Sequence, residues 1–333
     1  MLESDARMNP ICIPEGLLRE LICLDTELIT LMRNVYVEIS LGGHITPPIF
    51  QLIIPPAAGQ LCVKGAYRLG SSMLAIKVSG NFPAAQQPVS SGLMMVFDTA
   101  SGALRALLLD NGYLTQIRTA AAGAAATNAL AVSPTTYLGV LGAGRQARLQ
   151  VEALSLIRPI HRVRLWARSP GKAHALASHL GRALGIDTAV SSTVEETVRE
   201  SNVLITTTSS AEPLVRAAWL HPGLHITAIG SDSPGKCELE PAVLAAASVY
   251  SCDRREQCAT HGEWRAARAS GVLVQAAPPE IGEIIAGTRQ GRTNPDEITI
   301  ADLTGVGLQD TAIAVAAFSR FLNRSEHRTE TMR

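Results

Sequence analysis

The sequence lacks an excess of either charge, a long hydrophobic run and a close pair of cysteines. Its 29 basic side chains match 29 acidic ones, so electrostatics indicates neither nucleic acid nor an anionic membrane surface as a partner. No apolar run reaches the roughly 18 residues of a membrane-spanning helix. The six cysteines include no C-x-x-C pair, which favours a reduced, cytoplasmic setting. The opening residues are acidic and lack an apolar core, so no signal peptide is expected.

The length and the hydrophobic content of the chain suffice for two folded domains. Of the 333 residues, 47% are hydrophobic and 17% are charged, which is typical of a soluble globular protein. The length favours two domains, each with its own core. Because no macromolecular partner is indicated, the expected ligand is a small molecule.

The first part of the chain is predicted to be a mixed α+β domain. Residues 14–39 have the Leu, Ile and Met spacing of one or two helices. Residues 49–109 have the pattern of strands punctuated by Gly and Pro. A hairpin is predicted about the turn at Asp98–Gly102.

After this part the pattern changes. Residues 115–131 are rich in alanine and predict a helix, and Pro134 beyond it is the predicted domain boundary. Past Pro134, strands alternate with helices, which is typical of a parallel, doubly wound sheet. We therefore predict an α/β Rossmann domain over residues 134–305. The mixed α+β domain comprises residues 1–133 together with 306–333, where the last helix returns to it.

A glycine-rich turn after the first strand of the predicted Rossmann domain indicates dinucleotide binding. Gly142–Ala147 fits the G-x-G-x-x-[G/A] pattern. Gly142 permits the tight turn, Gly144 lets the backbone approach a pyrophosphate, and Ala147 lets helix and strand pack closely. The start of the next helix supplies N–H groups and a partial positive charge for the anion. The alternative is a purely structural turn.

The end of the second predicted strand bears on the choice of dinucleotide. It lacks the acidic residue that would hold the ribose 2′-hydroxyl of NAD. Arg168, Ser169 and Lys172 stand there instead and suit a 2′-phosphate. The sequence therefore favours NADP(H) as cofactor. The alternative is that Arg168 is an ordinary solvated residue of the loop and that NAD(H) binds without an acidic partner.

Three charged residues are candidates for the chemistry, each with a structural alternative. Arg118 lies in the first turn of the alanine-rich helix if Thr115 is its N-cap, where a cation opposes the helix dipole unless an anion intervenes. It is a candidate for binding a substrate carboxylate, or else an exposed or ion-paired arginine. Lys77 faces a cleft or, in the alternative, solvent. Asp232 follows a strand at the ligand-binding edge of the parallel sheet, or simply forms a turn.

No metal site is predicted. Cys252, Cys258 and His261 form a C-x5-C-x2-H pattern, which matches no usual zinc spacing. No fourth ligand lies near them in the sequence.

Together these motifs resemble the ornithine cyclodeaminase and mu-crystallin family of nicotinamide-dependent enzymes. The resemblance runs from residue 49 to the last helix and follows the family's order. It rests on the stretches AIKVSGNFP, LLLDNGYLTQIRTAAAGA, LGVLGAGRQA, ITTTSS, GSDSPGKCEL and ADLTGVGLQD. It implies a homodimer built through the first domain, which is then the substrate-binding and dimerisation domain, with the nucleotide domain inserted in the chain.

The resemblance also implies roles for individual residues. Lys77 matches an active-site lysine, Arg118 a carboxylate-binding arginine, and Asp232 an acid/base aspartate at the substrate nitrogen. Residues that match the nucleotide-binding stretches are Gly142, Gly144, Arg145 and Gln146 in the pyrophosphate loop, and Thr207 and Thr208 after the fourth strand.

The sequence departs from ornithine cyclodeaminases at a second carboxylate-binding arginine. His44 is the nearest residue to that position, and Lys64 offers a replacement charge. The sequence also lacks the acid at the end of the second strand. In these two features it resembles the branch of ectoine-utilisation cyclodeaminase-like proteins and imine reductases.

The leading hypothesis is an NAD(P)H-dependent imine or ketimine reductase, which forms an L-amino acid by hydride transfer to Cα of a 2-imino or cyclic ketimine acid. One alternative is ornithine cyclodeaminase, which converts ornithine to proline and ammonia with catalytic NAD. A further alternative is a crystallin-like protein that retains NADP as a ligand without turnover.

Overall fold

The computed structural model describes residues 9–57, 59–82, 89–132, 136–272 and 277–331, which form two compact units. The first unit contains the described chain as far as Cys23, then Gly42–Arg118, then the chain from Val306 onward. The second unit contains Leu24–Leu41 and Thr119–Gly305. Pro134, the predicted domain boundary, lies outside the described residues.

The sheet of the first unit is mixed. Its seven strands are β1 (Ile11–Pro14), β2 (His44–Ile45), β3 (Phe50–Ile54), β4 (Gly59–Arg68), β5 (Met73–Phe82), β6 (Val89–Asp98) and β7 (Leu104–Leu109). The order is β1-β7-β6-β5-β4-β2, and β3 also pairs with β4. Strands β1 and β7 are parallel, whereas the other pairs are antiparallel. The predicted hairpin is formed by β6 and β7.

The sheet of the second unit is wholly parallel. Its strands are β8 (Thr136–Leu141), β9 (Ile160–Trp166), β10 (Asp187–Val190), β11 (Val203–Thr206), β12 (His225–Ala228), β13 (Val249–Cys252) and β14 (Thr299–Asp302). The order is β10-β9-β8-β11-β12-β14-β13, so the direction of winding reverses between β8 and β11. Ligands of such sheets bind beyond the carboxyl ends of the strands at this reversal. The predicted fold class, a doubly wound Rossmann sheet with a mixed α+β domain, is confirmed.

The helices surround these two sheets. In the described residues they are α1 (Glu15–Leu21), α2 (Thr26–Leu41), α3 (Tyr113–Leu130), α4 (Arg145–Ser155), α5 (Pro170–Leu184), α6 (Val194–Arg199), α7 (Pro241–Ala246), α8 (Arg255–Cys258), α9 (Gly262–Ala269), α10 (Ile281–Ile285) and α11 (Gly307–Thr331). None of these described helices combines the length and the apolar character needed to span a membrane.

Helix α3 begins at Tyr113 rather than after Thr115. The reason is a cap that the alanine pattern did not reveal: the Asp110 carboxylate accepts the backbone N–H of Leu114 at 2.9 Å. Asn111 and Gly112, just before the helix, have φ of 49° and 80°, which turns the chain into its first residue. The boundary between the two units falls inside α3, after Arg118.

The compact units differ from the predicted domains in two segments, residues 24–41 and 119–132, which belong to the second unit. Close packing within that unit explains the position of α2. A Cβ at Gly282 would lie 1.8 Å from the carbonyl oxygen of Tyr36, and the Ser40 hydroxyl donates to Glu280 at 3.0 Å. The division into residues 1–133 with 306–333 and residues 134–305 stays a prediction about the domains that carry function.

Candidate active site

Lys77 and Arg118 meet at one buried carboxylate in the first unit. Lys77 Nζ lies 2.8 Å from Asp310 Oδ2, and Arg118 Nε lies 2.8 Å from Asp310 Oδ1. The three residues are 4%, 4% and 1% exposed, in the order Lys77, Arg118, Asp310. Buried charges are stable when they are paired, yet here two cations share a single carboxylate. The cluster therefore favours the binding of one further anion.

The first turn of α11 brings Asp310 to this position. Gly307 begins the helix so close to β4 that a Cβ there would lie 2.5 Å from the Gly65 carbonyl oxygen. The Thr311 hydroxyl donates to the carbonyl oxygens of Ala66 at 2.9 Å and Ala75 at 3.1 Å. Lys77 lies two residues beyond Ala75 on β5, and the period-two alternation of a strand places both on the face toward α11.

The position of Arg118 differs from the prediction. Because α3 begins at Tyr113, Arg118 lies in its second turn and not its first, so the opposition to the helix dipole is weaker than expected. The anion that compensates its charge is Asp310. This geometry is the ion-paired alternative, and the binding of a substrate carboxylate by Arg118 stays a prediction. Lys77 does not face solvent, because its ammonium is buried against Asp310.

Burial changes the proton affinity of this cluster. Desolvation lowers the pKa of Lys77 to about 8; attraction by Asp310 opposes the change, while the Arg118 and Lys64 cations add to it. Although burial alone would raise it, the pKa of Asp310 is lowered from its usual value because Arg118 and Lys77 favour the carboxylate. Asp310 is therefore an anion at neutral pH. The pKa of Lys77, by contrast, lies close to neutral pH.

Gln309 adds a neutral donor beside the ion pairs. Its Oε1 accepts from Arg118 at 3.1 Å and from the backbone N–H of Val306 at 3.3 Å. Its Nε2 is buried and has no hydrogen-bond partner in the part of the chain that the structure describes. A buried N–H donor without a partner is costly unless a ligand accepts from it.

Strand pairing also locates the residues near the missing arginine. In the β4–β5 ladder Lys64 lies directly opposite Lys77, and in the β2–β4 ladder Arg68 lies opposite His44. Directly opposed residues of an antiparallel pair share a face of the sheet. Lys64 is thus on the face of the sheet that carries Lys77. Arg68, opposite His44, is a further cation near the position of the missing arginine that the sequence pattern did not indicate.

The glycine loop of the second unit has the geometry that a dinucleotide requires. Gly142 has a φ of 121°, and a Cβ there would lie 2.5 Å from Thr207 Oγ1. Gly144 is the N-cap of α4 without a side-chain cap, and the first turn has no acidic residue. The N–H groups of that turn are thus directed at an anion site. Ala147 is fully buried, whereas Arg145 is exposed and Gln146 half-buried.

Thr207 and Thr208 lie beside this loop, because β8 and β11 are neighbours at the reversal of the sheet. Thr207 donates to the carbonyl of Leu141 through its backbone N–H at 2.9 Å and its hydroxyl at 3.1 Å. Thr208 donates to Glu238 through its N–H at 2.5 Å and its hydroxyl at 2.7 Å. The structure therefore brings together the glycine loop and the threonine stretch. These residues fit a dinucleotide at the carboxyl ends of β8 and β11.

Arg168 and Ser169 lie in the exposed turn between β9 and α5. Ser169 is the N-cap residue of α5, but its side chain makes no capping hydrogen bond, and the first turn of α5 has no acidic residue. This turn thus offers a cation, a hydroxyl and uncapped helix N–H groups.

Asp232 lies in the loop that follows β12. Its carboxylate is 54% exposed and accepts from Lys236 Nζ at 2.6 Å. The preceding residue, Ser231, is buried: its carbonyl accepts the N–H of Gly262 at 2.8 Å, and its hydroxyl donates to the Glu263 carboxylate. The loop is therefore fixed at its base, and the Asp232 side chain remains accessible.

Sequence reasoning missed the acidic residues that organise both groups. Asp310 was part of the matched stretch GVGLQD, and Glu238 and Lys236 were part of SPGKCEL, but no role was given to them. The signal was present for Asp310, since an acidic residue in the first turn of a helix that returns to the strands can pair with a lysine there. For Glu238 the signal was weaker, because a lone glutamate in a loop is most often solvated.

Comparison with known proteins agrees with this arrangement. The model of the ornithine cyclodeaminase/mu-crystallin family matches residues 18–325. An uncharacterized cyclodeaminase of Sinorhizobium fredii is 42% identical over 318 residues, which cover 94% of this chain and 96% of the relative.

Two solved structures have nearly the whole fold in common with this chain. An archaeal alanine dehydrogenase dimer with bound NAD has a TM-score of 0.87 and 31% identity, covering 95% of this chain and 97% of the other. The Δ1-pyrroline-2-carboxylate reductase of Thermococcus litoralis, in complex with NADH and L-proline, has a TM-score of 0.88 and 26% identity, covering 95% and 98%.

Proposed function

The chain belongs to the ornithine cyclodeaminase/mu-crystallin family and is a nicotinamide-dependent enzyme acting on C–N bonds, and we propose that its reaction is the reduction of an imine. The substrate is a 2-imino acid or a cyclic ketimine acid, and the product is an L-amino acid. The observation that carries this proposal is the pairing of two buried cations with one carboxylate at Lys77, Arg118 and Asp310.

This cluster is suited to a substrate carboxylate. Arg118 offers guanidinium N–H groups that Asp310 does not fully occupy, and the Gln309 Nε2 is a further donor. Lys77 binds the same carboxylate or supplies a nearby positive charge. Asp310 holds both cations in place and keeps the net charge of the occupied cluster near zero.

Asp232 has the second role in this proposal. When bound, the nicotinamide supplies the hydride that Cα receives. The Asp232 carboxylate pairs with the positively charged imine nitrogen and exchanges a proton with it. The positive charge on this nitrogen, which changes during hydride transfer, therefore lies beside an anion. Lys236, 2.6 Å from Asp232, keeps that carboxylate oriented before the substrate enters.

For the cofactor we propose a preference for NADP(H), with NAD(H) as the alternative. The preference is supported by Arg168, Ser169 and the uncapped first turn of α5, which suit a 2′-phosphate. The alternative is supported by the two solved relatives, which carry NAD and NADH.

We further propose a cytoplasmic homodimer formed through the first unit. Strand β3 and the neighbouring strand β2 expose large apolar side chains, namely Ile45, Phe50, Leu52 and Ile53, which are 48–61% exposed. Such a patch on short strands at the edge of a sheet is unfavourable in water and is typical of an interface. A monomer in analytical ultracentrifugation at micromolar concentration would contradict this assembly.

The test of the proposed reaction is spectrophotometric. Purified protein is mixed with NADPH or NADH and a panel of imines: Δ1-pyrroline-2-carboxylate, its six-membered homologue, and 2-oxo acids with ammonia or methylamine. Loss of the reduced cofactor with one of them is expected, faster with NADPH. D232N should lower kcat sharply while the affinity for the cofactor stays nearly unchanged. Equal turnover by D232N would remove Asp232 from the mechanism.

Ornithine cyclodeaminase is the second candidate, because an uncharacterized cyclodeaminase is 42% identical to this chain. In this reaction the same hydride step runs in both directions: ornithine is oxidised at Cα, the ring closes with loss of ammonia, and the hydride returns to give proline. Formation of proline and ammonia from ornithine with catalytic NAD⁺, without reduction of any imine in the panel, would identify it.

A further inference from the structure

Four buried carboxylates lie at the carboxyl ends of neighbouring strands in the second unit. They are Glu238, Asp253, Glu263 and Asp302, all at most 1% exposed. Glu238 and Glu263 accept hydrogen bonds from neutral donors that include backbone N–H groups after β11 and β12. Asp253 accepts backbone N–H groups after β13 and β14, and Asp302 accepts N–H groups at the start of α9 and the Tyr250 hydroxyl. We call this set the carboxylate network, and within it Glu238 lies next to the candidate residues of the site.

Glu238 joins two loops through its two carboxylate oxygens. Oε1 accepts from the N–H of Thr208 at 2.5 Å and from its hydroxyl at 2.7 Å. Oε2 accepts from the Thr206 hydroxyl at 2.5 Å and from the N–H of Gly230 at 2.8 Å. Four neutral donors thus surround one anion, and each oxygen has two.

The two loops are those that carry the proposed nucleotide-binding and acid/base groups. The first contains Thr207 and Thr208, and the second contains Asp232, two residues after Gly230. Gly230 leaves no space for a side chain, because a Cβ there would lie 2.1 Å from the Thr208 carbonyl oxygen and 2.5 Å from Glu238 Oε1. The two backbones therefore approach each other directly at Gly230, and the Glu238 carboxylate hydrogen-bonds to both of them.

Glu263 fixes Glu238 in turn. Its carboxylate accepts the backbone N–H groups of Glu238 at 2.8 Å and Leu239 at 3.1 Å, and also the hydroxyl of Ser231. Since Ser231 precedes Asp232, Glu263 restrains both ends of the segment that runs from Asp232 to Glu238. The backbone of Glu263 is itself held by Asp302, which accepts its N–H at 2.9 Å.

From these contacts we infer that Glu238 is a positioning residue for the proposed imine reduction, and the inference rests on that proposed function. As a carboxylate, Glu238 sets the distance between the threonine stretch at the nucleotide and the loop that carries Asp232. Protonation would convert one acceptor oxygen of Glu238 into an O–H donor, which would then face N–H and O–H donors and loosen both loops. Glu238 touches neither substrate nor reacting atoms, so it acts through Thr208 and Gly230.

The titration of Glu238 supplies a readout for this role. Burial raises its pKa to about 7, and the anionic Glu263 adds to the rise, while hydrogen bonds from Thr206 and Thr208 oppose it. The other ionisable groups at this segment include the paired Asp232 and Lys236, Cys237 beside Glu263, and Arg265, which donates to the carbonyl of Lys236. The turnover number is thus expected to fall on the acid side of a pKa near 7.

The experiment compares pH profiles of kcat for three variants. E238Q replaces one acceptor oxygen with a donor; it should lower kcat at pH 8 at least tenfold and abolish the acid limb near pH 7. KM for the imino acid should change less than threefold, because Glu238 bonds to Thr206, Thr208 and Gly230 and is not one of the proposed carboxylate-binding residues. T206V keeps the carboxylate but removes a hydrogen bond that lowers its pKa, so its acid limb should move to higher pH.

E240Q is the matched control. Glu240 lies two residues away and accepts the N–H of Ala217 at 2.8 Å, so the same substitution alters a hydrogen bond between the same two connections of the chain, but away from Thr208 and Gly230. Its kcat and pH profile should equal those of the wild type. If E238Q keeps the acid limb, or if E238Q and E240Q lose activity equally, Glu238 has no positioning role. If E238Q does not fold, an unchanged profile in T206V overturns the inference.

A binding experiment separates this inference from the proposed reaction. The dissociation constant of NADH is measured by nicotinamide fluorescence between pH 5.5 and 9; NADH is used because it lacks a 2′-phosphate that titrates near pH 6. We expect weaker binding below pH 7 in the wild type and no such change in E238Q. If this holds while no imine is reduced, the proposed reaction fails and the role of Glu238 stands. Equal pH dependence in both proteins overturns that role.

Discussion

The two units bury charge in opposite ways. In the first unit, Lys77 and Arg118 share the carboxylate of Asp310, so a positive excess is buried among ion pairs. In the second unit, the carboxylate network is held by backbone N–H groups and hydroxyls. Both arrangements give buried ions polar partners, but the partners are of different kinds.

The difference indicates what each region is built to do. Ion pairs with an excess of one sign can accept a ligand of the other sign, and the stability of the pair then depends on that ligand. Backbone donors cannot leave, so a carboxylate that they surround fixes the geometry of loops instead. The first unit thus has the electrostatics of a binding site, and the second has the electrostatics of a scaffold.

The largest expected effect comes from removing the shared carboxylate of the first unit. D310N leaves two buried cations without a charged partner, and breaking a buried pair in this way costs about 3–5 kcal/mol. The free energy of unfolding, measured with urea at pH 7, should fall by this amount, and KM for the imino acid should rise because Lys77 and Arg118 lose their orientation.

The control for D310N is E20Q, which removes an ion pair from the surface of the same unit. Glu20 and Arg324 are 2.7 Å apart, but their side chains are 60% and 39% exposed. Exposed pairs contribute at most about 1 kcal/mol. If D310N costs no more than E20Q, the cluster in the first unit is not an electrostatically coupled site.

The sequence predicts much of the fold of the second unit but little of the charge pairing in the first. The alternation of strands and helices and the turn at Gly142–Ala147 are local patterns. They predicted the parallel sheet, which is confirmed, and a nucleotide site at the turn, which stays a prediction. The start of α3 was missed because Asp110 caps it from outside the alanine-rich stretch. Strand β13 is hard to predict from the sequence, because its four residues follow a short helix without a clear turn signal.

The partners of charged residues were not predictable, since they lie far apart in the sequence. Lys77 and Asp310 are in separate segments, and only the return of α11 to β4 and β5 joins them. The pattern around Lys77 gave its face of the strand but could not distinguish solvent from a buried anion. Glu238 and Glu263 likewise have no shared sequence pattern, because their donors are backbone N–H groups and hydroxyls from separate segments after β11 and β12.

A smaller effect is expected from one carboxylate of the scaffold. E263Q turns a donor toward the N–H groups and hydroxyl that Glu263 accepts, and an unsatisfied buried donor costs about 1–3 kcal/mol. Burial raises the pKa of Glu263 above its usual 4.5, so the native state binds more protons than the unfolded state above pH 4.5. The free energy of unfolding of the wild type should therefore fall as pH rises through this window, and E263Q should reduce that slope.

Urea unfolding between pH 4.5 and 7.5 measures this slope. E195Q is the control, because Glu195 forms an exposed pair with Arg199 at 2.7 Å and its loss should change stability by less than about 0.5 kcal/mol. A slope in E263Q equal to that of the wild type would mean that Glu263 does not titrate as a buried acid.

The smallest expected effect on stability, and the sharpest contrast with D310N, comes from K77M. Desolvation lowers the pKa of Lys77 from 10.5 to about 8, which corresponds to roughly 3 kcal/mol against the charged form of this buried group. The native state then binds fewer protons than the unfolded state between these values, so the free energy of unfolding rises with pH from 8 to 10.5 in the wild type. K77M should abolish this rise and should be at least as stable as the wild type at pH 7, because Asp310 keeps Arg118 as its partner.

KM for the imino acid should nevertheless increase at least about tenfold in K77M, which is the effect expected from the loss of one charge-assisted hydrogen bond. In the wild type KM should increase in the same way as pH passes 8 and Lys77 loses its proton. A K77M protein that is as destabilised as D310N, with an unchanged KM, would make Lys77 a structural partner of Asp310 and would leave Arg118 as the group that binds the carboxylate.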